Sequence, residues 1–335
     1  MPQAPYRSLS IHDGSTHGTV SAGRGPVTPE VGRHCYKSGC RFVFALLLLA
    51  HACAAQSVWV EPPEEYLIAG ERALEWTREF VDLGPRPAGS ESLAVEHEII
   101  IQALSRLSCA IEVDAFVAKT PVGALLMRNI IARFGPPGDS PVMVVSGHYD
   151  TLRMDGFVGA NDGGSSAGFL MALAERLDRA GQHGVWLVFF DGEESTVQWR
   201  DLDHTYGSRR LAARWVADDT VSRIRALINV DMIGDADLEL VFEGNSDPIL
   251  RETVWDLGSD LGYGRSFGRS IGYIEDDHIP FLRAGVPSLV LIDFNYGPRN
   301  SYWHTQHDTI DKLDRRSFAT VMHVIEAAIE KLLAN

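Results

Sequence analysis

The chain has 335 residues and a formal net charge of −15, from 30 Lys and Arg against 45 Asp and Glu. This length can hold one large α/β domain or two small ones. Residues 1–53 carry a net charge of +3, so the rest of the chain carries −18. An acidic body offers no counter-charge to phosphate groups, which argues against nucleic acid and anionic membranes as partners.

An apolar segment lies near the N-terminus. Residues 42–50 are all apolar, basic residues precede them and an alanine-rich run follows. This pattern predicts a secretory signal or, if the segment is retained, a signal-anchor that tethers the protein to a membrane. Residues 1–40 show no periodicity and are predicted to be disordered. We therefore expect an extension with a signal peptide or signal-anchor over residues 1–55, a single domain over residues 56–335, and a secreted or exported protein.

The cysteines are concentrated in the N-terminal extension. Cys35, Cys40 and Cys53 precede or flank the predicted processing region, which leaves Cys109 alone in the body of the chain. A single cysteine cannot form a disulfide within the mature domain.

Helices and a hairpin are predicted to open the domain. Residues 70–83 and 90–107 show helical spacing, with a Gly-Pro-Arg-Pro break between them. Residues 110–119 and 124–134 alternate as strands around a turn.

Strands and helices alternate through the rest of the chain. Strands are predicted at 142–146, 185–190, 226–230 and 288–292, and helices at 166–180, 206–217, 248–261 and 315–333. Such alternation predicts an α/β fold, with a mostly parallel central sheet and helices on both faces, preceded by the N-terminal helices and the hairpin.

Two adjacent carboxylates follow the most apolar of these strands. Residues 185–190 read as a strand buried on both faces, and Asp191-Gly192-Glu193-Glu194 comes directly after it. Ligands bind beyond the carboxyl ends of strands in such sheets. Two neighbouring carboxylates repel each other unless one binds a cation or takes a proton, although a solvated acidic turn is an equally simple explanation of this pair alone.

Further polar residues follow other predicted strands. Each of them alone could be a helix cap or a turn, as Asp162 could be, but their convergence at one edge is harder to explain that way. Imidazole and carboxylate groups without cysteine indicate a catalytic zinc site. The set comprises His148, Asp162, Asp231, Asp276, Asp277 and His304.

The sequence resembles the zinc aminopeptidases and, among them, the glutaminyl-peptide cyclotransferases (glutaminyl cyclases), over about residues 70–333. The aminopeptidase-type elements are residues 84–90 (GPRPAGS), 148–150 (HYD), 161–162 (ND), 191–194 (DGEE) and a late His304. The more specific cyclase-like elements are Trp199, residues 206–209 (YGSR), 231–234 (DMIG), 275–281 (EDDHIPF), 285–287 (GVP) and 303–305 (WHT).

The resemblance implies a single zinc ion bound by Asp162, Glu194 and His304. It implies that Glu193 is the acid/base in the cyclisation of an N-terminal glutamine, with loss of ammonia. Asp231 and Asp276 would hydrogen-bond each other and hold the leaving nitrogen, and Trp199 and Trp303 would wall the pocket. The expected partners are peptides or proteins with N-terminal glutamine. Residues 293–302 differ in length and content from the family pattern, which leaves the peptide preference open.

A two-zinc aminopeptidase is the alternative that these residues leave open. In it, two zinc ions would be held by five residues, namely His148, Asp162, Glu194, Asp231 and His304. Glu193 would activate a bridging water for hydrolysis of the first peptide bond. A carboxylate of Asp276 paired with Asp231 would discourage the second ion. In the cyclase interpretation His148 is instead a hydrogen-bonded core residue.

Several residues have simpler interpretations. Trp199 and Trp303 could be ordinary, partly buried aromatic residues. Asp191 could orient a ligand or form a turn, and His278 is expected to order a loop. Three histidines without a position at a strand end are predicted to lie at the surface: His183, His204 and His307.

Overall fold

A computed structural model describes residues 60–135, 138 and 140–334. The predicted disordered extension and the predicted signal segment lie outside the described residues. Among the helices that the structure describes, none combines the length and the apolar character that crossing a bilayer requires.

Two helices open the described chain, as predicted. Helix α1 spans Glu64–Val81 and α2 spans Glu91–Leu104. Helix α1 begins six residues before the predicted start because Pro63 precedes it and acidic residues occupy its first turn, both of which favour a helix N-terminus. The Ser90 side chain caps α2 by accepting a hydrogen bond from the backbone N–H of Leu93 at 3.1 Å.

The central sheet confirms the predicted α/β architecture. Its strands are β1 (Cys109–Thr120), β2 (Gly123–Phe134), β3 (Val142–His148), β4 (Val185–Phe190), β5 (Ile224–Asp231) and, after a small second sheet, β8 (Ser288–Ile292). The order is β1-β2-β4-β3-β5-β8. Strands β4, β3, β5 and β8 run parallel, whereas β2 pairs with β4 in antiparallel orientation. The predicted hairpin therefore extends the central sheet at one edge.

Helices cover both faces of this sheet. They are α3 (Gly164–Ala180), α4 (Tyr206–Ala217), α5 (Pro248–Asp260), α6 (His278–Arg283) and α7 (Arg315–Leu333). Alternate residues of β4 enter two different apolar clusters: Phe189 packs in the cluster that includes α3 and α7, while Phe190 packs in the cluster that includes α4 and α6. Burial on both faces explains why this strand reads as a continuous apolar run.

A second, two-stranded sheet was not predicted. It pairs β6 (Phe242–Glu243) with β7 (Ile271–Gly272), and two residues are too few to show a strand period. The buried carboxylate of Glu243 accepts hydrogen bonds from the backbone N–H groups of Asn245, Ile274 and Ser246, at 2.9, 3.0 and 2.7 Å. Burial alone would raise the pKa of Glu243. These hydrogen bonds, together with the hydrogen bond and charge of His278, outweigh burial and lower the pKa to about 2.

Candidate metal centre and active site

The polar residues that follow the parallel strands meet at one edge of the sheet. His148 ends β3, Glu193 and Glu194 follow β4, and Asp231 ends β5. Asp162 lies in the turn before α3 but does not cap that helix, because Gly163 occupies the N-cap with φ 86°. The capping role that could have explained Asp162 is therefore wrong.

The first group of metal-ligand atoms comprises Asp162, Glu194 and His304. Nε2 of His304 lies 3.2 Å from Asp162 Oδ2 and 3.2 Å from Glu194 Oε1. The three donor atoms lie within 4.8 Å of one another. Backbone strain accompanies this arrangement, since His304 adopts φ 50°.

A second group shares one of these carboxylates. Nε2 of His148 lies 3.2 Å from Asp231 Oδ1 and 3.4 Å from Asp162 Oδ1. His148, Asp162 and Asp231 thus form another set of donor atoms within 4.8 Å of one another. The structure therefore brings together both the ligand set implied for one zinc ion and the additional residues of the two-zinc alternative.

The chemistry of the first group fits a zinc ion. Zinc in catalytic sites takes nitrogen and oxygen ligands, as an imidazole and two carboxylates provide. Both carboxylate oxygens of Glu194 and Oδ2 of Asp162 are buried, yet none accepts a well-oriented hydrogen bond. Buried carboxylate oxygens are costly unless a partner compensates them, and a cation at this position would do so.

The pKa values of His304 and Glu194 are shifted by burial and by the charges of their neighbours. Burial alone would lower the pKa of His304, but the charges of Glu194 and Asp162 outweigh it and raise the pKa to about 10. Burial raises the pKa of Glu194, and the charge of His304 only partly offsets this effect. A concentration of negative charge in a buried site favours a cation.

Glu193 lies beside the ligands without belonging to either donor group. The residue is only 5% exposed. Its pKa is raised well above the usual value, first by burial and then by the charges of Glu194 and Asp276, against the opposing charge of His148. A buried carboxylate of this kind is suited to exchanging protons.

Asp150 orients both glutamates, a role that the sequence pattern did not reveal. Its Oδ1 accepts the backbone N–H of Glu193 at 3.0 Å, and its Oδ2 accepts that of Glu194 at 3.3 Å. Its backbone carbonyl lies 3.1 Å from His148 Nδ1. One residue just after β3 therefore fixes the turn after β4.

Asp276 lies in the site, but its hydrogen bonds differ from those expected. Its Oδ1 accepts from Asn229 Nδ2 at 3.0 Å and from the backbone N–H of Asp277, and no hydrogen bond between Asp231 and Asp276 occurs among the described residues. Burial, and after it the charge of Asp231, raises the pKa of Asp276 to about 7. The two carboxylates therefore interact through their charges.

The two tryptophans have different neighbours. Trp303 stacks on the candidate ligand His304, with ring centroids 4.1 Å apart and an interplanar angle of 22°. Trp199 stacks on His204, at 4.4 Å and 13°. The prediction of a surface position for His204 is wrong, because its side chain is covered by this indole and the residue is 5% exposed. His183 and His307 are exposed, as predicted.

Two further residues singled out in the sequence make defined contacts. Asp191 accepts the backbone N–H of Arg128 at 2.7 Å and so joins the end of β4 to β2. His278 begins α6, where a loop was expected, and its Nε2 lies 3.3 Å from Glu243 Oε2.

Two supports of the turn that carries Asp162 come from distant parts of the chain. Asp308 accepts the backbone N–H groups of Asn161 and Asp162, at 2.7 and 3.1 Å, and the hydroxyl of Tyr296 at 2.8 Å. Arg86 forms a fully buried ion pair with Glu96 at 2.7 Å and donates to the carbonyl of Val158 at 2.8 Å. The only sequence signal for Arg86 was its place in the Gly-Pro-Arg-Pro break.

Comparison with known proteins identifies relatives of the whole domain. Residues 129–329 match the model of peptidase family M28. A glutaminyl-peptide cyclotransferase of Drosophila melanogaster is 33% identical over 77% of this chain and 81% of its own length. One from Bos taurus is 30% identical over 74% of this chain and 78% of its own. The crystal structure of an Acidobacteriales bacterium glutaminyl cyclase superposes with a TM-score of 0.75 and 35% identity, covering 79% of this chain and 95% of that one.

Proposed function

The chain belongs to the glutaminyl-peptide cyclotransferases of peptidase family M28, and we propose that it converts the N-terminal glutamine of peptides into pyroglutamate with release of ammonia. The observation that carries the proposed mechanism is the buried Glu193 carboxylate, which lies next to the candidate ligands and belongs to neither donor group.

Asp162, Glu194 and His304 would hold one zinc ion per chain. Zinc, when bound, supplies Lewis-acid polarisation of the side-chain amide carbonyl of the glutamine. Asp308 and Arg86 keep the turn of Asp162 in place, and Asp150 keeps that of Glu194 in place. Residues that orient ligands in this way typically affect metal affinity.

Glu193 moves the proton in the proposed reaction. The α-amine of the substrate attacks its own side-chain amide carbon, so the amine must lose a proton and the departing nitrogen must gain one. Glu193 accepts the first proton and delivers it to the nitrogen, which leaves as ammonia. Asp231 and Asp276, whose carboxylates interact through their charges, accept hydrogen bonds from that nitrogen. Trp303, stacked on His304, excludes water from one side of the substrate.

A two-zinc aminopeptidase is a second candidate, because the donor group of His148, Asp162 and Asp231 is intact. In that case Glu193 would activate water instead of the substrate amine. Metal analysis separates the two proposals, since cyclisation is expected with one zinc per chain and hydrolysis with two.

The decisive experiment follows the mass of a peptide that begins with glutamine. Loss of the mass of ammonia supports cyclisation, whereas loss of the whole first residue supports the aminopeptidase. A peptide that begins with alanine is the control, because it has no side-chain amide and only a peptidase would shorten it.

We also infer that the protein is exported, from the apolar segment at residues 42–50. N-terminal sequencing of the mature protein tests this inference. A start near residue 55 indicates cleavage, and a retained segment in a membrane fraction indicates a tether.

A further inference from the structure

One loop beside the candidate active site exposes large apolar side chains. We refer to residues 196–203 as the rim loop. Within it, Val197 is 63% exposed and Leu202 is 67% exposed, while Trp199 is half-buried. Single exposed apolar residues are common on protein surfaces, but here two of them flank an indole within six residues.

The carboxylate of Asp203 makes hydrogen bonds along the backbone of the rim loop. Asp203 accepts the backbone N–H groups of Thr196, Val197 and Gln198, at 3.0, 2.9 and 3.0 Å. It also accepts the Tyr206 hydroxyl at 2.7 Å. The apolar side chains therefore project from an ordered backbone, and a ligand that binds them does not need to order the loop.

The two residues that follow the rim loop, His204 and Thr205, contact both segments that carry acidic residues of the site. The backbone N–H of Thr205 donates to the carbonyl of Glu193 at 2.7 Å. His204, on which Trp199 stacks, has its Nε2 4.0 Å from Oε2 of Glu275, the residue before Asp276. The C-terminal end of the rim loop thus lies beside the segment of Glu193 and the segment of Asp276, and Trp199 stacks on one of the contacting residues.

We propose that the rim loop is the binding subsite for apolar side chains that follow the N-terminal glutamine of the substrate, and that Val197 and Leu202 provide its contacts. This proposal rests on the proposed function, because it places the glutamine at Glu193. A peptide whose first residue reacts there must leave the site past its rim. Apolar side chains on that peptide would remove the two exposed aliphatic residues from water, whereas polar ones would not.

The test compares two amidated peptides, Gln-Leu-Phe-Gly and Gln-Ser-Ser-Gly. We expect wild-type kcat/KM to favour the apolar peptide, and the double variant Val197→Ser, Leu202→Ser to lower that preference about fivefold, mainly through KM. The matched control is Ile249→Ser, which removes an aliphatic residue that is 77% exposed on α5 and should leave the preference unchanged. Equal kcat/KM for both peptides in the wild type, or an equal loss on both peptides in the double variant, would overturn the proposal.

A binding measurement separates this proposal from the proposed function. Calorimetric titration of both peptides into the Glu193→Gln variant, with and without the two rim-loop substitutions, gives affinities without turnover. If the wild type releases no ammonia but the rim-loop substitutions still reduce the affinity ratio, only the proposed function fails. If ammonia is released and the ratio does not change, only the rim-loop subsite fails.

Discussion

Replacing Glu193 by glutamine should abolish turnover while leaving the fold and the metal in place. The substitution keeps the side-chain shape and the backbone hydrogen bond to Asp150. Because burial raises the pKa of the Glu193 carboxyl well above its usual value, the ionised group costs folding free energy at pH 7, and a neutral amide in its place should not lower the stability of the fold. General acid–base catalysis contributes about 10²- to 10⁴-fold, so we expect kcat to fall by that factor, which corresponds to about 3–5 kcal/mol in the barrier.

The assay measures ammonia release from a glutamine peptide, together with zinc content and the denaturation midpoint. Glu194→Gln is the matched control, because it makes the same chemical change in the adjacent residue and should instead release zinc. Turnover at the wild-type rate in Glu193→Gln, with zinc retained, would refute the proton-transfer role. A loss of zinc equal to that of Glu194→Gln would show that Glu193 is a ligand.

Three further outcomes are expected. Tyr296→Phe removes the 2.8 Å hydrogen bond to Asp308, which holds the backbone of Asp162, and should weaken zinc binding about tenfold. Competition with a chelating dye measures the affinity, and Tyr273→Phe, at an exposed tyrosine, should leave it unchanged. Glu243→Gln should destabilise the fold by about 3 kcal/mol at pH 7, because the pKa of Glu243 in the folded protein, about 2, lies below the usual 4.5. The stabilisation by the Glu243 carboxylate is complete above pH 4.5 and disappears as the pH falls towards 2. Denaturation of the wild type and the variant at each pH measures it. Chelation of zinc should stop ammonia release, and one equivalent of zinc per chain should restore it; recovery only at two equivalents would favour the peptidase.

The parallel part of the sheet could be predicted in detail because its strands are buried on both faces. The predicted strand at residues 185–190 has the same bounds as β4, and the predicted helix at residues 206–217 has those of α4. Elements that depend on few residues were missed: β6 and β7 are two residues long, and α6 is six. Strong local signals, namely a long apolar run or a helical period, were absent there.

In the candidate site, the sequence predicted the residues that come directly after strands. Asp162, Glu194 and His304 meet as the resemblance implied, but the residues that support them are connected through space and not through local pattern. Asp308 contacts the Asp162 backbone across 146 positions of the chain. The burial of His204 likewise depends on the stacked Trp199, and spacing in the sequence does not report such a contact.

The position of Asp162 in both donor groups would link the binding of two metal ions thermodynamically, if both groups bind one. One oxygen of this carboxylate faces His304 and the other faces His148, at 3.2 and 3.4 Å. A cation in either position would therefore withdraw negative charge from the other, and each ion would reduce the affinity for its neighbour by the same factor. In a zinc titration, such negative cooperativity would appear as one tight and one weak binding step. The free zinc concentration would then decide whether the same protein carries one ion or two, and so which of the two reactions it could catalyse.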